Sequence, residues 1–216
     1  FIKYKLFTKE VELSDAQTLR NLSEVQPKEI LKTTFKKAID ELTVTDKGTT
    51  EVKNYISLKL SKPKIAENQS FIVPKKSVFN KIIGDNPFEL EFASFLESRF
   101  DDVVSYAKNT MGEGGINFKI EYQAQDGNIR EYYPDFFVKI NDNTFYIVET
   151  KGREDLDDIR KVQRLFVWCK DINSAQKEYT YSPIYIKQEK WDDIKNDFKS
   201  FAEVVKIFTV TENKES

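Results

Sequence analysis

The chain has 216 residues, 39% hydrophobic and 32% charged, with 17 Phe and 10 Tyr, so it can bury a core as one domain or one domain with an appendage, and wholesale disorder is excluded. It holds no His and one Cys, which removes Ser-His-Asp and Cys-His chemistry, a His general base, haem and His-containing zinc sites, an intrachain disulfide and a Cys-rich zinc cluster. The net charge of -2 hides an asymmetry: residues 1–80 carry 15 Lys and Arg against 10 Asp and Glu, a balance of +5, and residues 81–216 carry 19 against 26, a balance of -7. The basic part suits contact with phosphates, and the acidic part repels them unless cations intervene. No run approaches the ~18 apolar residues of a membrane span, and the N-terminus lacks the layout of a signal peptide, so the expectation is a soluble cytoplasmic protein with no membrane partner. A chain beginning at Phe1 reads as a piece of something longer.

Residues 1–13 alternate loosely through Ile2, Tyr4 and Leu6 and predict a strand, followed by a short helical stretch from Asp15. Ile30, Leu31, Phe35, Ala38, Ile39 and Leu42 recur at helical spacing behind Pro27, which predicts a helix over 27–42. Residues 43–50 read as a polar turn, 55–60 as an alternating strand and 62–70 as a loop. A boundary falls in 74–86, where basic residues, Gly84 and the run Asp85-Asn86-Pro87 interrupt the pattern. The expected organisation is an N-terminal α/β extension over 1–79, a main domain over 80–210 and a polar tail over 211–216.

Asn86 followed by Pro87 is a helix-start signal, and Phe88, Phe92, Phe95 and Leu96 carry the helix to about Phe100. Strands are predicted over 116–122, 129–140 and 144–150, the first two joined at Asp126-Gly127 and the last two at 141–143. Gly112-Glu113-Gly114-Gly115 lacks the Lys-Ser/Thr ending of a phosphate loop and reads as a flexible connection. A helix over 155–172, a strand over 179–186, a helix over 191–201 and a short strand over 204–210 complete the chain. The order helix, three-strand meander, helix, strand predicts a mixed sheet with helices packed on it, because a strand that follows a long helix usually returns parallel to its neighbour.

Phe145 to Val148 form an apolar run of the kind buried on both faces of a sheet. Beyond it Glu149 and Lys151 project from one face, two apart, and Thr150 from the other. Pro134 withholds a backbone donor before Asp135 and predicts a bend or a break in pairing. A turn centred on Asp142 places residues whose numbers sum to 284 opposite each other, Asp135 and Glu149 among them. Two carboxylates roughly 5 Å apart across a ladder repel, and a divalent cation removes that penalty. Asp135 and Glu149 are therefore candidate ligands of Mg²⁺ or Mn²⁺, with Lys151 beside them to orient a water or stabilise an oxyanion, as metal-assisted phosphodiester hydrolysis requires. The competing reading makes Glu149 and Lys151 solvated strand ends and Asp135 a turn cap.

Asp135 with Glu149-x-Lys151 resembles the signature of the PD-(D/E)xK nuclease superfamily. With Phe88-Glu89-Leu90-Glu91-Phe92-Ala93, Tyr133-Pro134-Asp135-Phe136, Val148-Glu149-Thr150-Lys151-Gly152, Lys161 and Trp168-Cys169, residues 75–187 are similar to the C-terminal endonuclease domain of the restriction (Res) subunit of type III restriction-modification enzymes. Residues 23–74 are less distinctively similar to the segment that links motor and nuclease in such subunits. The resemblance implies a restriction-endonuclease-like αβββαβ core, Mg²⁺-dependent cleavage of DNA, and catalytic residues Asp135, Glu149 and Lys151. It also implies an accessory acid from the first helix, for which Glu89 is preferred over Glu91 because it lies nearer Ala93 and Phe100 on the helical wheel. No motor motif occurs here, so ATP enters only through a helicase region absent from these residues, and a methyltransferase subunit is the further partner.

Lys161 and Gln163, on the helix after the Glu-x-Lys strand, are candidates for contact with DNA, against a reading that leaves them simply exposed. Tyr132 and Tyr133 read as half-buried strand residues, and Cys169 as a buried core thiol. Two rivals differ in class: a catalytically silent domain of the same fold that binds DNA or assembles, and an unrelated α/β interaction domain with acidic strand ends. Convergence of Asp135, Glu149 and Lys151 in one cleft is the feature that separates the second rival from a nuclease.

Overall fold

A computed structural model describes residues 1–7, 9–45, 50–58, 61, 62, 64 and 68–211, with side chains omitted over 40–45. All but the first residue of the expected polar tail lies outside the described residues. The chain clusters into two units, one of Phe1–Gly48 with Gln123–Arg130 and the other of Thr49–Tyr122 with Glu131–Ser216.

The N-terminal segment of the first unit is mainly helical among the described residues. Residues expected as a strand form a π-helical turn at Ile2–Leu6, where the Lys5 and Leu6 amides both donate to the Phe1 carbonyl. Helix α1, Ala16–Ser23, is capped by Asp15, whose carboxylate accepts from the Thr18 amide at 2.7 Å and is held below the usual carboxylate range by that bond. Helix α2, Val25–Thr45, starts two residues ahead of Pro27 and runs through part of the expected polar turn, whose residues 46–49 lie outside the described ones. The Asp126-Gly127 turn forms as expected, with Gly127 at a φ of 80° that favours glycine and its amide bonded to the Ala124 carbonyl.

The second unit is a mixed α/β fold with a four-stranded mixed sheet flanked by helices. Its strands are β3 (Ser105–Lys108), β6 (Phe136–Lys139), β7 (Thr144–Lys151) and β8 (Thr180–Lys187), paired in the order β3-β6-β7-β8. The first two pairings are antiparallel and β7–β8 is parallel, the arrangement produced when a long helix, α4 (Asp158–Ala175), connects the last two strands. The β6–β7 register runs from Phe136↔Val148 to Lys139↔Phe145, the pairing predicted from the turn at Asp142.

Several predicted elements differ. Residues 129–140 are two strands, β5 (Ile129–Tyr132) and β6, in different sheets, with Pro134 in the gap between them. The strand expected over 116–122 shortens to β4, Ile120–Gln123, which pairs with β5, so its place in the main sheet is taken by β3, a strand the sequence does not announce. Residues 51–57 are irregular rather than strand, and 59–60 lie outside the described residues. Two short strands, β1 (Phe71–Ile72) and β2 (Ile82–Ile83), pair antiparallel around the expected boundary. The predicted helix over 191–201 shortens to α5 (Gln188–Ile194), followed by a non-helical stretch over 195–200, and a separate helix, α6 (Phe201–Phe208), begins at its last residue. The last expected strand is therefore helical, because Phe201, Val204 and Phe208 are also spaced for a helix and all three are buried.

Helix α3, Pro87–Ser98, begins as predicted, with the Asn86 side chain accepting from the Glu89 amide at 3.0 Å and Pro87 in the first turn. Its apolar stripe packs on one face of the sheet: the Phe92 ring lies 5.5 Å from Phe136 and 5.4 Å from Trp191, which is wholly buried and stacks on Phe198 at 5.7 Å. On the other face Phe118 meets Phe137 at 5.2 Å and Trp168 of α4 at 5.0 Å, while Val162, Leu165 and Cys169 of α4 are buried. The Cys169 thiol is pushed up to about 12 by burial, which suits a core residue and not a nucleophile. Gly114, at φ 75°, is a position that favours glycine: its carbonyl accepts from the Lys62 amide at 2.7 Å, and a Cβ there would collide with the Lys62 backbone.

Candidate active site

A cleft of about 590 Å³ opens where the C-terminal end of β7 meets the N-terminus of α3. Glu89, Asp135, Glu149 and Lys151 all line it, together with Asn86, Thr150, Arg153 and Gln188. Three stretches of chain deliver the acidic groups: the first turn of α3 brings Glu89, the residue ahead of β6 brings Asp135, and β7 brings Glu149 together with Lys151.

Asp135 is fixed by a dense set of bonds. Its amide donates to the Val148 carbonyl at 3.0 Å, and its Oδ2 accepts from both the amide and the hydroxyl of Thr150, at 2.8 and 2.6 Å. Thr150 thus orients Asp135. Glu149 is half-buried, and Tyr132 donates its hydroxyl to Glu149 Oε2 at 3.1 Å. Burial and the neighbouring Asp135 carboxylate push the Glu149 carboxyl well above the usual range, against the pull of the Tyr132 hydroxyl, Lys151 and Lys108. Burial likewise pushes the Tyr132 hydroxyl up, so it remains a donor.

Glu89 caps its own helix as well as facing the cleft. Its carboxylate accepts from the Asp85 amide and the Asn86 side-chain nitrogen, both at 2.8 Å, and it is 4% exposed. Burial and Asp135 raise its carboxyl, with Lys108 opposing. Glu91 sits elsewhere: its carboxylate accepts from Trp191 Nε1 at 2.9 Å and Lys195 Nζ at 2.8 Å, anchoring α3 to α5. Of the two acids considered, Glu89 is the one that lines the cleft.

Lys108, at the end of β3, joins the acids without having been a candidate from the sequence. Its ammonium is 3% exposed and lies 3.0 Å from Glu89 Oε2, 3.2 Å from Asp135 Oδ1 and 3.5 Å from Asp85 Oδ2, above the Phe136 ring at 5.4 Å. Burial alone would lower its pKa, but Asp135 and Glu89 outweigh it and hold Lys108 charged. A buried lysine that ends a four-residue strand has no local sequence signal, since its partners lie on other elements.

Lys151 belongs to a second cluster. Its Nζ lies 2.9 Å from Asp158 Oδ1 and 3.3 Å from Asp155 Oδ2, and Lys161 lies 3.0 Å from the same two atoms. Asp158 is buried, and its Oδ2 accepts from the Asp155 amide at 2.6 Å. Partial burial works against ionisation of Asp155, yet Lys161 above all holds its carboxyl far below the usual value. Lys161 therefore braces the Lys151 cluster, and its ammonium points to these aspartates. Gln163 is exposed on α4, and neither residue lines the cleft.

Glu89, Asp135 and Glu149 offer the hard oxygen donors that suit Mg²⁺ or Mn²⁺. Among the described residues, however, no three His, Cys, Asp or Glu side chains gather closely enough to hold an ion, and the Lys108 ammonium lies within 3.2 Å of both Glu89 and Asp135. Among the described residues no helix is long and apolar enough to cross a membrane. Compared with family models, curated proteins and solved structures, the chain matches none.

Proposed function

We propose that this cleft hydrolyses DNA phosphodiester bonds with Mg²⁺ or Mn²⁺, as a restriction-endonuclease-like nuclease domain of the type III restriction subunit kind. The observation that carries the reading is the meeting of Glu89, Asp135, Glu149 and Lys151 at one cleft. The chain order α3, β3, β6, β7, α4, β8, with the β4–β5 hairpin inserted after β3, supports the αβββαβ core that the resemblance implies. A divalent ion, when bound, lowers the pKa of a water and neutralises charge on the phosphate.

Asp135 and Glu149 are the proposed ligands of that ion, aimed by Thr150 and Tyr132 respectively. Lys151, held by Asp155 and Asp158, keeps its charge, since those carboxylates outweigh burial, and orients the attacking water. Glu89 is accessory. Residues 81–216 carry -7, so the intrinsic grip on DNA is weak and salt-sensitive. The reading therefore assigns translocation and site recognition to an ATP-driven helicase region of the same subunit and to a methyltransferase partner, which would concentrate DNA at the cleft by tethering.

The test is nicking of supercoiled plasmid DNA in Mg²⁺ or Mn²⁺ by the wild-type chain and by Asp135→Ala. Weak, sequence-indifferent nicking that requires the metal and disappears in a folded Asp135→Ala protein is expected. Equal nicking by the two proteins would overturn the assignment. A catalytically silent module of the same fold is the second reading, favoured by the placement of Lys108 between Glu89 and Asp135; metal binding without turnover would select it.

A further inference from the structure

We propose that Lys108 is a resident cation that competes with the divalent ion for Asp135, one of the two proposed ligands, so that the cleft accepts metal only as the ammonium withdraws from that carboxylate. This rests on the metal-dependent reading above. The oxygens concerned are already engaged: Asp135 Oδ2 by Thr150, Asp135 Oδ1 by Lys108, Glu89 Oε1 by Asn86, and Glu89 Oε2 by Lys108 and the Asp85 amide. A magnesium ion binds carboxylate oxygen at about 2.1 Å. With the ammonium 3.2 Å from Asp135 Oδ1, a divalent ion on that oxygen would sit within a few ångströms of a fixed positive charge, and like charges so close in a buried site repel strongly.

The geometry also supplies somewhere for the ammonium to go. Asp85 already lies 3.5 Å from Lys108 Nζ, and its side chain is 66% exposed. A small swing toward Asp85 would keep Lys108 paired while freeing Asp135 Oδ1 for the ion. Three carboxylates thus face one lysine, two of them inside and one at the rim. The rim carboxylate is the partner the ammonium would keep on releasing Asp135.

Manganese is the probe. Mn²⁺ is titrated into wild type, Lys108→Met and Asp135→Asn, with free Mn²⁺ read by electron paramagnetic resonance. Lys108→Met is expected to bind at least tenfold more tightly than wild type, and Asp135→Asn to lose binding. Equal affinity in wild type and Lys108→Met, with binding lost in Asp135→Asn, overturns the competition and leaves the metal reading standing. No binding by any of the folded proteins overturns the metal reading and the competition with it. Because Lys108→Met strands buried carboxylates and can fail to fold, a second measurement uses the unmodified chain. Lysine acetylation followed by mass spectrometry is expected to spare Lys108 without Mn²⁺ and to label it at saturating Mn²⁺; continued protection with Mn²⁺ bound overturns the proposal.

Discussion

The two lysine clusters beside β7 differ in balance and in depth. Lys151 and Lys161 share Asp155 and Asp158, two cations against two anions, and the lysines are 20% and 17% exposed. Lys108 alone faces Glu89, Asp135 and Asp85 at 3% exposure, with Glu149 close enough to feel both Asp135 and Lys108. The first cluster is neutral in sum and braces the start of α4 against the end of β7. The second is short of positive charge inside the protein, where an unmatched carboxylate is most costly. A deficit of that kind is unhelpful to stability alone, and it pushes the Glu89 and Glu149 carboxyls toward their neutral forms.

Removing the lysine from each cluster is the most direct way to break this comparison. Lys108→Ala strands Glu89 and Asp135 without their shared partner, and breaking a buried pair from one side costs about 3–5 kcal/mol, to be read as a drop in urea-denaturation free energy. A loss no larger than that of a surface lysine would remove the distinction between the clusters.

The charge deficit also has a pH signature at Glu149. Its folded pKa is raised, chiefly by burial and then by Asp135, so its contribution to stability is fully present below the ordinary glutamate value of about 4.3 and is lost as pH rises through the folded value. A glutamine side chain at this position cannot ionise, and its amide oxygen can still accept from Tyr132. Glu149→Gln is therefore expected to match wild type in melting temperature below about pH 4 and to gain on it as pH rises from there through the raised folded value. A difference that stays constant across that range, or one that favours wild type at pH 8, would contradict the assigned environment.

The smallest effect is expected from Lys161→Met. It keeps the aliphatic stem and leaves Lys151 to pair with Asp155 and Asp158, so the cost should be no more than about 1 kcal/mol and should shrink with added salt. Equilibrium unfolding at low and high salt measures it.

Much of the main sheet was legible because its signals are local. Asn86-Pro87 starts α3, the turn at 141–143 sets the β6–β7 register, and the apolar run ending at Glu149-x-Lys151 marks β7. What escaped depends on distant partners. Strand β3 is four residues that include Ala107 and Lys108, with no β-forming run of its own, and it exists because β6 pairs with it. Lys108 is buried only because Glu89 and Asp135 come from other elements to meet it. Val204 to Phe208 carry residues that favour strands, yet Phe208 packs 6.4 Å from Trp191 and 6.2 Å from Phe198 in a helix, so tertiary packing overrode local preference. Asp135 and Glu149 were readable from the Pro-Asp ahead of β6 and the Glu-x-Lys of β7, but the lysine between Glu89 and Asp135 was not.

The central claim is that the chemistry belongs to the cleft acids and not to the acid that anchors α3. The most direct measurement compares the rate of plasmid nicking in Mg²⁺ for wild type, Glu149→Gln and Glu91→Gln, each verified as folded. Glu149 lines the cleft, and Glu91 binds Trp191 and Lys195 instead. Glu149→Gln is expected to lose nicking by on the order of a hundredfold or more, as removal of a group acting in the transition state does, while Glu91→Gln nicks at nearly the wild-type rate. Undiminished nicking by Glu149→Gln, or no nicking by wild type in either Mg²⁺ or Mn²⁺, would contradict the account.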